Sequence, residues 1–251
     1  IPSVSSAATA ALAPSSIRQA LTILGALFQY LLDAGYLRAN PLALARRQKR
    51  GLAQSPGVER YLDAELWQVV QDTLEALPRR GARDIQHYER ARWLFHLLYL
   101  TGARRTEVAR AVMGDIVQRR GLWWWRVLGK GNKIGDIPVG DSLLAALQRY
   151  RSHCGLPPLP LPGEATPLVG RVNQPGKLDT LSDKAIYLIV KQVFRLAAER
   201  EPAQAERLAA ASTHWLRHTA ASHQLEAGVP LLVVSQNLRH ASIQTTRKYL
   251  H

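Results

Sequence analysis

Between Asp115 and Val139 the spacing of apolar residues changes, and that change restricts the fold more than any other feature of the chain. On either side, apolar positions recur with the period of one face of an α-helix. Inside it they form short runs, Ile116-Val117, Trp123 to Leu128 and Ile137 to Val139, separated by Arg119-Arg120-Gly121 and Lys130-Gly131-Asn132. Short β-prone runs divided by turn residues predict three short antiparallel strands. The expected fold is therefore mainly α with a small three-stranded antiparallel sheet, an α+β domain. The successive Trp123, Trp124 and Trp125 sit mid-strand, away from a turn, so the two faces of a half-buried strand explain them better than a base-stacking platform.

Ahead of this domain, Ile17, Leu21, Leu24, Phe28, Leu31 and Leu32 lie at helical spacing, with Ser15 and Ser16 as N-cap candidates and Gly35 as a stop. The apolar face calls for helical neighbours, yet the short Ala-rich stretch from Ala7 to Ala13 supplies one at best, so a partial all-α domain is expected. A chain that starts at Ile1 fits a piece of a longer parent. After Asn40-Pro41 a short helical segment runs into Arg46-Arg47-Gln48-Lys49-Arg50. Residues 51–59, with Pro56-Gly57 and no apolar period, read as a linker. The basic run is either a solvated cluster or a segment tracking a phosphate backbone. Helices are expected from Leu66 to Leu77, Tyr88 to Leu100, Leu143 to Tyr150, Ser182 to Arg200, Ala203 to Ala211, Leu216 to Ala227 and Leu231 to Leu238. The proline-rich stretch from Gly155 to Gly176 reads as a long loop, with a plain surface connection preferred over a DNA or subunit contact.

Charge narrows the function. The 251 residues hold 33 Lys and Arg against 19 Asp and Glu, a formal net charge of +14, which points to a polyanionic partner. Nucleic acid is favoured over membrane, because no basic amphipathic anchor stands out. One cysteine, Cys154, excludes an internal disulfide, and neither a membrane-spanning apolar run nor a signal peptide is evident; a reduced, soluble, cytoplasmic protein is expected.

Four motifs carry possible chemistry. Thr101-Gly102-Ala103-Arg104-Arg105-Thr106-Glu107-Val108 is a glycine turn entering a helix, with Arg104 and Glu107 at i and i+3. Gly129-Lys130-Gly131-Asn132-Lys133 is a tight turn between strands that swings a lysine off the sheet. His214-Trp215-Leu216-Arg217-His218 opens a helix, and His240 and Tyr249 stand nine residues apart near the chain's end. Singly, each has a bland reading: a surface ion pair, a turn lysine, a packed terminal aromatic. His214 and His218 have the i, i+4 spacing of a zinc pair, but no acidic residue or cysteine lies within a turn to complete a ligand set, and Arg217 would repel a cation.

Read together, the motifs resemble the tyrosine recombinase or phage integrase family, including its Xer-type members, over most of the chain. That family carries an Arg in a Thr-Gly-x-Arg box, a Lys in a β-turn, His-x-x-Arg, a His or Trp, and a nucleophilic Tyr, in this order. The resemblance implies catalytic roles for Arg104, Lys130, His214, Arg217, His240 and the nucleophile Tyr249, with Glu107 in support, orienting His214. It implies DNA contacts from Arg46, Arg47, Lys49, Arg50, Arg105, Lys133 and Arg239. It also implies that residues 1–50 are the end of a core-binding, DNA-clamping domain and residues 60–251 the catalytic domain. The expected partner is double-stranded DNA with a specific recombination site, bound as a homotetramer on synapsed duplexes, in a bacterial, nucleoid-associated setting. No metal or nucleotide cofactor is implied.

The chemistry of the residues agrees. Cleaving a phosphodiester without metal needs a nucleophile, cationic donors for the non-bridging oxygens, a base and an acid. Planar guanidinium groups suit phosphate oxygens, which fits Arg104 and Arg217. Two positions depart from the family: Arg239 stands before His240, where Gly is usual, and Gly135 stands near where relatives carry an Arg. The chain also stops two residues after Tyr249, where relatives commonly continue into a helix that docks on a neighbouring subunit. A type IB topoisomerase and a non-catalytic basic DNA-binding module remain alternatives to a strand-exchange enzyme.

Overall fold

The computed structural model describes residues 14–43, 60–129, 134–239 and 243–247. The chain divides into two compact units, Ile1–Val58 and Glu59–His251. In the first, helix α1 spans Pro14–Asp33. It ends as the sequence predicts: Gly35 adopts φ 76°, and the N–H groups of Gly35 and Tyr36 bond back to Leu32 and Leu31 at 3.0 and 2.9 Å. Ser15 and Ser16 lie within the helix rather than ahead of it. Arg46, Arg47, Lys49, Arg50 and the linker 51–59 lie outside the described residues.

The second unit is mainly helical with a small antiparallel sheet. Helices α2 (Ala64–Glu75), α3 (Ala82–Thr101) and α4 (Arg105–Arg110) precede the sheet. Asp63 caps α2 by accepting the Leu66 N–H at 2.9 Å. Strands β1 (Ile116–Arg119), β2 (Leu122–Leu128) and β3 (Ile134–Val139) pair antiparallel in that order, as the change of period predicts. Ile116, Trp125 and Ile137 align across the three strands and are all buried. Trp124 faces the other way between Val117 and Pro138 and is half-buried, so the tryptophan run does occupy the two faces of one strand.

Beyond the sheet come α5 (Asp141–His153), a hairpin of β4 (Gly170–Gln174) and β5 (Lys177–Thr180), then α6 (Asp183–Arg200), α7 (Ala205–Ala210), α8 (Thr213–Glu226), α9 (Leu231–Asn237) and the short α10 (Gln244–Arg247). The central helix is α3, with Trp93, Leu94, Phe95, Leu97 and Leu98 all buried, and α5 and α8 packed against it. Helix α6, buried through Ile186, Val190, Val193 and Phe194, packs on α2.

The hairpin corrects the sequence reading, which has loop through Gly176. Its period-2 signal rests on Val172 and Leu178 alone, and Pro175-Gly176 makes the turn. The remaining proline-rich stretch is pinned rather than merely laid on the surface. Arg151, 1% exposed, donates to the Pro157 and Leu159 carbonyls at 2.7 and 3.1 Å and to Glu164 at 2.8 Å. Met113 and Gly114 donate to Thr166 and Glu164 at 2.7 and 2.9 Å. Among the described residues no helix is long and apolar enough to cross a membrane.

Candidate active site

Helix α3 ends at Gly102, whose φ of 57° reverses the chain before α4 starts. The glycine also meets a steric limit: a Cβ there would run into Leu238 Cδ2. The Thr101 hydroxyl accepts the Ala103 N–H at 3.1 Å, holding the turn. Arg104 is left extended as the N-cap residue of α4 (φ −78°, ψ 145°).

Glu107, one turn into α4, is buried with its side chain 3% exposed. Its carboxylate accepts the Arg104 backbone N–H at 2.7 Å and Arg104 Nη1 at 2.9 Å. A third donor is Arg239 Nη2, at 2.6 Å. Burial alone would raise this carboxyl; the Arg239 charge and the Arg104 hydrogen bonds outweigh it and hold the group below the usual carboxylate range. Glu107 therefore orients Arg104, through both its backbone N–H and its guanidinium.

Arg217 is buried on α8, and its two terminal nitrogens donate to the Gly102 and Leu238 carbonyls. This guanidinium ties three segments together: the glycine turn, α8 and the end of α9. His214, one turn earlier and solvent-exposed, faces His218, with their Nε2 atoms 2.7 Å apart and rings edge-on. One ring must donate and the other accept, so the i, i+4 pair that spacing leaves open to zinc is bonded to itself.

Arg104, Arg105, His214 and Arg217 line one cavity of about 380 Å³, with Ala103, Thr106, Tyr187, Ser212 and Thr213. Arg105 lies at its edge, bonded to Asp183 at 2.6 Å with its guanidinium over Tyr187. Residues from α4, α6 and α8 thus meet here, although more than one hundred positions separate Arg104 from His214. Tyr187 is a lining residue that the sequence motifs miss, since it sits in none of them. His218 closes the motif that begins at His214, but its bond to His214 is not part of the motif's reading. Lys130 and Lys133, between β2 and β3 in the sequence, and His240 and Tyr249, before and after α10, lie outside the described residues.

The cavity is open and carries the guanidinium groups of Arg104, Arg105 and Arg217, a form suited to a phosphate group on a large ligand. The sequence profile of the phage integrase family matches residues 69–251. The chain belongs to the phage integrase family. Within it, the chain is 30% identical over 239 residues to tyrosine recombinase XerC of Pelobacter propionicus, covering 94% of this chain and 68% of that protein. It is 32% identical over 242 residues to XerC of Pseudomonas aeruginosa, again covering 94% and 68%. These relatives make the chain a tyrosine recombinase by family. Among solved structures, the Tn1549 transposon integrase in complex with transposon right end DNA shares the fold, with TM-score 0.70 and 17% identity over 96% of this chain and 76% of that one. The XerH site-specific recombinase bound to difH substrate matches with TM-score 0.58 and 22% identity over 80% of this chain; this chain covers 52% of XerH, about half its length.

Proposed function

We propose that this chain cleaves and rejoins DNA strands at a specific site through a 3′-phosphotyrosyl intermediate, with no metal or nucleotide cofactor. The observation that carries the reading is the convergence of Arg104, Arg217 and His214 on one cavity, with Arg104 set by a buried carboxylate. In this reading Arg104 and Arg217 take the non-bridging oxygens of the scissile phosphate and stabilise the charge of its pentacoordinate transition state. The Tyr249 hydroxyl attacks phosphorus, forming the P–O bond to tyrosine as the P–O bond to the 5′-oxygen breaks. His214 accepts the tyrosine proton, Lys130 protonates the departing 5′-oxygen, and His240 donates to the phosphate. A tyrosine of pKa near 10 needs such a base and cation cluster to react at neutral pH. The phosphotyrosyl ester keeps the bond energy for religation to a new 5′-hydroxyl.

Further parts of the reading follow from family and charge. Residues 1–50 are the end of a core-binding domain that clamps duplex, residues 51–59 its linker, and residues 60–251 the catalytic domain. Arg46, Arg47, Lys49, Arg50, Arg105 and Lys133 supply cationic charge toward DNA, whereas the Arg239 guanidinium is engaged by Glu107 and the Asn237 carbonyl. Synapsis brings four copies onto two duplexes, in a bacterial cytoplasm and on the nucleoid.

Covalent trapping tests the chemistry. Nicked duplexes of randomised sequence, incubated with the full chain, should yield an adduct on the 3′ side that survives denaturing electrophoresis. Tyr249→Phe should abolish it, and a mutant that still forms the adduct has a different nucleophile. Duplexes recovered from the adduct then separate the activities: exchange between two marked duplexes supports a recombinase, whereas plasmid relaxation without exchange supports a topoisomerase.

A further inference from the structure

We propose that Arg239 is a positioning residue for strand cleavage, acting on Arg104 through Glu107, and that Gly135 is small because the Arg239 side chain crosses β3 there. The proposal rests on the strand-cleavage reading above and adds to it a residue outside the phosphate cavity.

The backbone of Arg239 is left-handed, φ 53°, a conformation that glycine adopts freely and a side chain does not. Its side chain is nevertheless mostly covered, 14% exposed. Nη2 donates to Glu107 at 2.6 Å and Nη1 to the Asn237 carbonyl at 3.0 Å. Gly135 supplies the second half of the argument. A Cβ at that position would stand 2.9 Å from Arg239 Cδ and 3.6 Å from Cγ, and among the described residues it would meet no other atom within 4 Å. Gly135 is paired in the strand opposite Val127 and its φ is not left-handed, so its backbone suits any residue. Among the described residues it is the stem of Arg239 that calls for glycine there. The arginine therefore runs from the segment after α9, over β3, to the carboxylate on α4.

Charge balance says what this does. Glu107 paired with Arg104 alone would form a neutral couple, and its field would hold the guanidinium away from a second anion. With Arg239 as a further cation the trio carries a net +1, so Arg104 keeps its charge for a phosphate while its geometry stays fixed by two hydrogen bonds from Glu107. Arg239 also keeps the buried carboxyl ionised.

The test compares the parent, Arg239→Gly, Arg239→Lys, Gly135→Ala and the double variant Gly135→Ala/Arg239→Gly, on a nicked duplex recovered by covalent trapping. Glycine suits the backbone at 239, so Arg239→Gly should fold. It should cleave about ten-fold or more slowly, bind duplex with unchanged affinity, and lose rate at a higher pH on the acid side, because Glu107 gives up a neighbouring cation. Arg239→Lys should restore part of the rate. Gly135→Ala should slow the parent and have no further effect once Arg239 is gone. Parent-like rates and pH profiles in all variants overturn the proposal. So does a fall in affinity of Arg239→Gly with a salt slope smaller by about one, which makes Arg239 a phosphate contact. If the parent forms no adduct on any duplex, the strand-cleavage reading fails instead. The same cycle read by thermal midpoint, with Gly135→Ala destabilising only when Arg239 is present, then decides whether the two residues are linked.

Discussion

A single carboxylate at 107 answers to two arginines, one in the cavity and one behind it, and its ionisation holds both. Removing the charge should be costly: Glu107→Gln leaves Arg239 buried with an uncompensated charge, at about 3 kcal/mol of stability. The sign with pH follows from the lowered carboxyl. Its stabilising effect is complete above the ordinary carboxylate range and disappears as pH falls through the lowered value. Thermal unfolding from neutral pH to about pH 3 should therefore show the gap between parent and Glu107→Gln close in acid; a constant gap would mean that the carboxylate carries no net stabilisation. The i, i+3 pairing of Arg104 with Glu107 is legible from spacing. The third partner is not, because Arg239 lies 132 positions away and arrives only when α9 packs beside the box.

At the scale of elements, strands β1 to β3 were legible because turn residues cut an aromatic run whose alternation matches one buried face. The β4–β5 hairpin was not, since it carries two inward apolar residues and sits against a proline-rich stretch. That stretch gains its order from outside itself, from Arg151 on α5, whose guanidinium takes two of its carbonyls and Glu164. Arg151→Met keeps the aliphatic stem but strands those acceptors and should cost about 3 kcal/mol, read as a lower midpoint in denaturant. Early proteolysis between Pro157 and Glu164 should accompany it, and a variant as stable and resistant as the parent would show that the loop holds itself.

For the whole molecule, the +14 charge divides among several tasks. That figure is already net of pairs such as Arg105 with Asp183, Arg119 with Asp136 and Arg151 with Glu164. Arg104 and Arg217 face the cavity. The remainder supplies duplex affinity through counterion release, so binding should weaken roughly a thousand-fold or more between about 50 and 200 mM salt. Under the proposed mechanism the Tyr249 hydroxyl acts in bond formation rather than in holding the duplex, so Tyr249→Phe should leave that dependence and the affinity unchanged. An affinity indifferent to salt would contradict a phosphate-directed interface. Both quantities are read by fluorescence anisotropy on labelled duplex.

Local sequence determined the helices, the three-stranded sheet and the order of the reactive residue types, because each depends on near neighbours: apolar period, turn chemistry and spacing within one turn. Tertiary structure decided which of those residues share a charge. Glu107 gains Arg239 as a second partner, and Arg217 binds the carbonyls of Gly102 and Leu238. The physical reason is that a hydrogen bond or ion pair is set by distance in space, and packing of α4, β3, α8 and the end of α9 fixes those distances only once the chain has folded.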